Sequence, residues 1–418
     1  MSDNQITILT GPDRIRKRPS VVYFSNNLEG AQHAVRDVLD IFVTEAQLGR
    51  CKHLSVKQDG AKLEISGDDR GIYLGQDTGD DTKWQEIFCS MYPLSAYCPD
   101  ESGYSLGLID YTHHILYGEA QEPNSIYFPE ETGYLELYAL QCVCEYLEVV
   151  VNRDQINSNL YFERGNNIGG IHNKPTTECN GTCFRFALDH EVFTQTVIPA
   201  TFFLETLKTF AMLAPGLCCT YENASGQATT FYYPDGISEY VQHKCPENTV
   251  PVYRKKIEAK GKDRYNRAEY AACVDIAIGY TPNEGEVKCF HNFRELTSGG
   301  SHWDALQKQI CRAFNACYGH YIVDNGSDHV EHSSGKTEPF NEITKHLTIV
   351  LATWCSPHCS VWGNGERLSI RNRMITDMTH DVAGAEFHNY LYRNKEKYLD
   401  LLEHSMLDQM IRTMENAR

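Results

Sequence analysis

No apolar run in the 418-residue chain approaches the roughly 20 residues that a bilayer-spanning helix requires. The opening, Met1 to Leu9, lacks the charged, apolar and small-residue segments of an export signal. Membrane insertion and secretion are therefore not expected, and a cytoplasmic location is. Positive charge is scarce too: 38 Lys and Arg stand against 56 Asp and Glu, a net charge of −18. A general polyanion binder shows the opposite excess, so strong nucleic-acid binding is not expected. Any local basic patch would work against the global field. Repeats, low-complexity tracts and long linkers are also absent.

Cysteine, by contrast, is plentiful, with 16 in the chain. A chain this long builds its cores without disulfides, so most of the thiols read as reduced and buried. Cys355-Ser-Pro-His358-Cys359 is the most metal-like cluster. A structural zinc site needs four ligands, and no second pair at similar spacing is visible, so no metal is expected. Cys142-Val-Cys144 sits in an apolar run and reads as core.

Length sets a prior of two or three domains. Ala31 to Ala46 reads as a helix, with Val35, Val38, Leu39, Phe42 and Val43 on one face. Leu54–Val56 and Leu63–Ile65 flank Gln58-Asp59-Gly60 as a hairpin. A short helix follows from Trp84, and Leu135 to Val151 reads as a buried helix running into a strand. Cys183–Leu188 is a strand and Phe202–Leu213 a helix. Beyond Phe231–Gly236, strands are expected at Tyr270–Tyr280, Val287–Phe290 and Leu347–Trp354. A helix is expected from His302 to Tyr318, with helical segments broken near Asp381–Gly384. The pattern is α+β twice over, divided into residues 1–228 and 229–418.

The motifs resemble a family. Ile6 to Pro19, ending Arg16-Lys-Arg-Pro19, is similar to the start of the B subunits of DNA gyrase and topoisomerase IV. Asp37-Val-Leu-Asp40 with Glu45-Ala46, Gly49–Lys52, Asp68–Ile72 and Asn180–Thr182 follow in the family's order. Val287–Asn292, Gly299-Gly-Ser-His302 and Ala313–Ala316 resemble its transducer domain. The resemblance implies a GHKL (Bergerat-type) ATPase-like α/β sandwich. A ribosomal-S5-like βαβ transducer domain with long C-terminal helices would follow it. It stops where the family's TOPRIM cleavage domain would begin, so the chain is not expected to be a self-sufficient topoisomerase.

The family's ATP chemistry can be checked position by position. Its catalytic Glu corresponds to Asp37, a vestigial or repurposed base one methylene short. Its Mg²⁺-binding Asn corresponds to Ile41, which offers no oxygen to an octahedral ion. The turn that supplies a carboxylate to adenine is one residue short in Gly67-Asp68-Asp69-Arg70-Gly71. Either Asp68 takes that place beside a deleted glycine, or Gly67 does and the contact is lost. Thr182, used beside that carboxylate, is present. The glycine-rich phosphate lid corresponds to Glu131–Leu137 and keeps one glycine. Glu131 or Glu136 facing phosphate at ~4 Å would repel it by about 4 kcal/mol at an effective ε of ~20. The transducer's Q-T-K loop corresponds to Gly363-Asn-Gly365 and has no lysine.

These departures point to a degenerate relative that is not a conventional ATPase, with no nucleotide or metal cofactor. One expectation is an interaction, regulatory or resistance-type paralogue in the gyrase/topoisomerase system. The family's dimer uses an N-terminal arm; only five residues precede Ile6 and none is aromatic, so a homodimer would not be arm-exchanged. The alternative is a repurposed pocket acting on a non-nucleotide small molecule, lined by Asp37, Ile41, Asp68, Asp69, Gly71, Ile72 and Thr182. Residues 98–133, carrying His113 and His114 as candidate acid–base groups, would cover it by their own packing. An atypical ATP-binding topoisomerase subunit is a second alternative.

Overall fold

The structure, a computed structural model, describes residues 11–75, 83–90, 134–245, 250–262, 269–281, 285–325, 346–355, 363 and 368–398. The chain forms two compact units, the first ending at Pro234 and the second running from Asp235. Residues 98–133, with His113 and His114, lie outside the described residues.

The first unit opens with two one-turn helices, α1 (Asp13–Arg16) and α2 (Ser20–Tyr23), and then the long α3 (Leu28–Gln47). Asn27 caps α3 by accepting from the Glu29 N–H at 2.9 Å. The expected apolar face forms: Val35, Val38, Leu39, Phe42 and Val43 are all fully buried. Each contributes on the order of 1.5–3 kcal/mol by burial. The hairpin β1 (His53–Asp59) and β2 (Lys62–Gly67) pairs Asp59 with Lys62, leaving Gly60-Ala61 as its turn.

Next come α4 (Lys83–Cys89) and α5 (Tyr134–Val143), then the strands β3 (Cys144–Arg153), β4 (Ile156–Glu163), β5 (Asn166–Pro175) and β6 (Gly181–Leu188). Helix α6 (Ala200–Leu213) and strands β7 (Cys218–Asn223) and β8 (Ala228–Tyr232) complete the unit. The sheet order is β5-β4-β3-β6-β2-β1-β7-β8. Only β1 and β7 run parallel among these neighbours. Side chains alternate along the strands. Leu54, Val56, Leu63, Ile65, Leu147, Val149, Phe184 and Phe186 point to the helical side and are buried.

The second unit contains α7 (Ile237–Lys244), β9 (Tyr253–Lys262), β10 (Glu269–Tyr280), β11 (Val287–His291) and β12 (Arg294–Glu295). Then follow α8 (Ser301–Asn325), β13 (Leu347–Cys355), α9 (Arg373–Val382) and α10 (Ala385–Arg393). The order β12-β11-β13-β10-β9 places β13 at the centre, parallel to β11 and antiparallel to β10. All nine residues of β13 are buried, as expected of a strand covered on both faces. Leu306, Ile310, Phe314, Ile375 and Phe387 from the helices share one core with Val274, Ile276, Ile349 and Leu351 of the sheet.

Candidate functional site

The expected site residues come from three elements of the first unit: α3, the turn after β2, and the start of β6. On α3, Asp37 is half-buried, whereas Ile41, one turn later, is 4% exposed and part of the core. Asp40 does not replace it: its carboxylate holds Arg36 at 2.8 Å, and the Arg36 guanidinium lies 4.5 Å from the Phe210 ring centre.

The turn after β2 separates its two aspartates. Asp68 leaves the cluster: its carboxylate accepts from the Lys52 and His53 N–H groups at 2.7 and 2.8 Å and from the His53 ring at 2.6 Å. Burial would raise its pKa, but these donors outweigh it and hold the carboxyl below the usual range. Asp69 turns inward, is 1% exposed, and accepts from the Thr182 hydroxyl at 2.9 Å and the Gly71 N–H at 3.3 Å. Thr182 in turn accepts from the Ile72 N–H at 3.2 Å. The sequence offered Asp68 or Gly67 as the carboxylate position beside Thr182; the residue that reaches Thr182 is Asp69.

The reason lies in Gly67. It pairs with Thr182 in the β2–β6 register, but a Cβ there would sit 2.4 Å from the Phe42 ring. Phe42 is fully buried and packs edge-on against Phe184, 6.2 Å between ring centres. The strand position beside Thr182 is thus closed to a side chain, and the carboxylate arrives two residues later. Gly71 has φ +80, and a Cβ there would meet the Asn152 carbonyl at 2.5 Å, so the turn requires glycine.

Burial raises Asp69 to about 7; the Thr182 hydroxyl opposes this and the nearby Glu45 charge reinforces it. Glu45 is fully buried, with Arg70 at 3.1 Å and Arg50 at 3.9 Å. A carboxyl raised this far is protonated in the folded chain at pH values where the unfolded chain is ionised. The stability it lends is full below about pH 4 and is lost as pH rises to about 7, at roughly 1.4 kcal/mol per unit. Asp69→Asn should remove that slope. Denaturant unfolding of both proteins between pH 4 and 8 checks this; parallel profiles would rule out a protonated Asp69.

Ile41 and Phe42 do not fit a magnesium nucleotide. Ile41 supplies no oxygen, and the Phe42 ring fills the place beside Gly67. What persists is a buried carboxyl–hydroxyl pair, Asp69 with Thr182. Gly363 donates its N–H to Ser369 at 2.7 Å; the rest of that loop lies outside the described residues. So do His358 and Cys359, while Cys355 is buried 3.9 Å from His291 Nε2. Among the described residues no group of three His, Cys, Asp or Glu is placed to hold a metal. Cys142 and Cys144 are buried, as their apolar run suggested. No helix among the described residues is long and apolar enough to cross a membrane.

Residues 236–418 match the family model for DNA gyrase B. The B subunit of DNA gyrase from Thermotoga maritima is 26% identical over 324 residues, covering 75% of this chain and 46% of that protein. The B subunit of DNA topoisomerase 4 from Enterococcus faecalis is 24% identical over 324 residues, with 75% and 42% covered. The chain therefore spans less than half the length of these relatives. Among solved structures, the 43K ATPase domain of Thermus thermophilus gyrase B, in complex with an aminocoumarin, aligns with a TM-score of 0.63 at 17% identity, covering 98% of this chain and 99% of that one. The topoisomerase IV ATP-binding domain of Francisella tularensis, in complex with a small-molecule inhibitor, gives 0.61 at 15%, covering 97% and 99%.

These likenesses and the sheet topologies define the class: a GHKL-type ATPase fold followed by a transducer-like unit. The chain is gyrase B-like: across three quarters of its length it is similar to the B subunits of DNA gyrase and topoisomerase IV.

Proposed function

We propose that this gyrase B-like protein does not turn over ATP and acts through binding, as an interaction or regulatory partner of a gyrase or topoisomerase IV subunit. The observation that carries this reading is Ile41: an aliphatic side chain, buried in the core, where the resemblance puts the Mg²⁺ ligand. The Phe42 ring against Gly67 supports it by different physics, steric rather than coordinative. A net charge of −18 suits a basic protein surface better than nucleic acid.

The test is a steady-state assay with Mg²⁺ and ATP beside an authentic gyrase B ATPase fragment, with sedimentation of mixtures with purified gyrase subunits. The expected results are no turnover above background and a stoichiometric complex. Turnover comparable to the authentic fragment, abolished by Asp37→Ala, would overturn the reading. A second reading, a repurposed pocket for a small molecule, is favoured by one observation. Asp69, raised to about 7 beside Thr182, has the properties of an acid–base or hydrogen-bonding group at neutral pH.

A further inference from the structure

The face of the first sheet opposite its helices carries a feature that the ATP-type site does not use. Strand register lines up its outward side chains in rows. One row is charged: Lys57, Glu64, Arg185 and Glu148 are successive partners across β1, β2, β6 and β3. Arg185 is fixed between Glu64 at 2.7 Å and Glu148 at 3.2 Å, and Lys57 reaches Glu64 at 3.6 Å. The neighbouring row is short: Ser55, Ser66, Cys183 and Val150 are partners across the same four strands. Beyond it stand His53 with Asp68, and Asn152 with Glu178 at 2.9 Å.

Small side chains between two taller walls make a trough. The cavity there measures about 350 Å³, and both short-row serines, Cys183 and Val150 line it, with His53, Asp68, Glu178 and Arg185 at its walls. Three strand spacings give it a length of about 14 Å. Its chemistry is uneven along that length. Val150 and Cys183 give an apolar stretch of floor. Acceptors dominate the walls: the Asn152 amide N–H is already given to Glu178, and the Arg185 guanidinium is engaged by two glutamates. Of the residues lining the cavity, Asp68 and Glu178 outnumber Arg185. A complementary ligand brings donors and positive charge at its ends and methylenes in its middle.

We propose that this trough binds a linear aliphatic amine with two or more ammonium groups, lying across the strands. Its methylenes run over Cys183 and Ser66, and its ammonium groups meet Glu178 at the β3 end and the His53–Asp68 pair at the β1 end.

Spermidine is the probe, titrated calorimetrically into the whole chain at about 150 mM salt, where diffuse attraction to an acidic surface is screened. Saturable one-to-one binding is expected. Ser66→Tyr, which fills the trough, should weaken it more than 10-fold, and Glu178→Gln about 5-fold. 1,4-Butanediol, with no charge, should not bind. Spermidine should also slow alkylation of Cys183 but not of exposed Cys89, read by mass spectrometry. That readout uses the unmodified protein and stands if a variant fails to fold. Binding as tight in folded Ser66→Tyr as in the native chain, or no protection of Cys183, would mean diffuse attraction only and would overturn the proposal.

Discussion

Two buried histidines should cost the second unit about 4 kcal/mol of stability on acidification from pH 7 to pH 5, against about 1 kcal/mol returned by Asp275, which burial raises to about 6. His291, at the end of β11, is fully buried, with Nδ1 3.0 Å from the Thr353 hydroxyl and Nε2 facing the Cys355 thiol. His302, in the first turn of α8, is also fully buried, and neither ring nitrogen has a hydrogen-bond partner among the described residues. Burial pushes His291 down to about 3, reinforced by the charge His302 would carry and opposed by a Thr353 backbone bond. Burial alone takes His302 down to about 4. Both rings are neutral in the folded protein, and the unfolded chain binds protons first, near pH 6.5. Their contribution is therefore complete above about pH 6.5 and falls with pH towards the folded values. At pH 5 each histidine accounts for roughly 1.5 pH units, or about 2 kcal/mol. Trp303 and Trp354 belong to this unit and Trp84 to the first, so intrinsic fluorescence follows its unfolding. His302→Leu should remove about half of the histidine contribution, about 2 kcal/mol at pH 5. A flat profile from pH 7 to 5, or an unchanged slope in the variant, would mean that these rings are solvated or already charged.

What the sequence disclosed followed the strength of its periodicity. Helix α3 and the β1–β2 hairpin were legible because five apolar residues recur at helical spacing and the strands alternate around a glycine turn. Strand β13 was legible as an unbroken apolar and β-branched run. Strands β5 and β9 were not: Asn166–Pro175 carries two adjacent glycines and is mostly exposed. Tyr253–Lys262 carries Arg254, Lys255, Lys256 and Lys260, which read as solvated charge. Both are edge strands, where one side has no ladder to complete and charge guards against further pairing.

The site was legible in composition but not in direction. Losing the Mg²⁺ ligand at Ile41 needs only an alignment of motifs. Whether Asp68 or Asp69 faces Thr182 depends on which way an irregular turn leaves β2, and a one-residue change there reverses the side-chain face. The Glu45–Arg70–Arg50 cluster joins a helix to two loops, and no local pattern announces it. Phe42 was visible as a core residue on α3; that its ring closes the position beside Thr182 is a tertiary fact.

That closure couples two mutational effects in the first unit. Phe42→Ala should cost about 3–5 kcal/mol, the usual loss for a fully buried phenylalanine that leaves a cavity. Gly67→Asp alone should also destabilise, because its Cβ would meet the ring at 2.4 Å and the carboxylate would enter an apolar contact between Phe42 and the Cys51 thiol. The two changes repair each other's geometry: alanine at 42 vacates the volume that aspartate at 67 needs. The double variant should therefore be less destabilised than the two single costs combined, by about 0.5–3 kcal/mol, the range for residues in direct contact. Urea unfolding of the four proteins at one pH measures this coupling. Additivity within about 0.5 kcal/mol would mean that Phe42 and Gly67 do not compete for the same space. The displacement of the carboxylate to Asp69 would then need another cause.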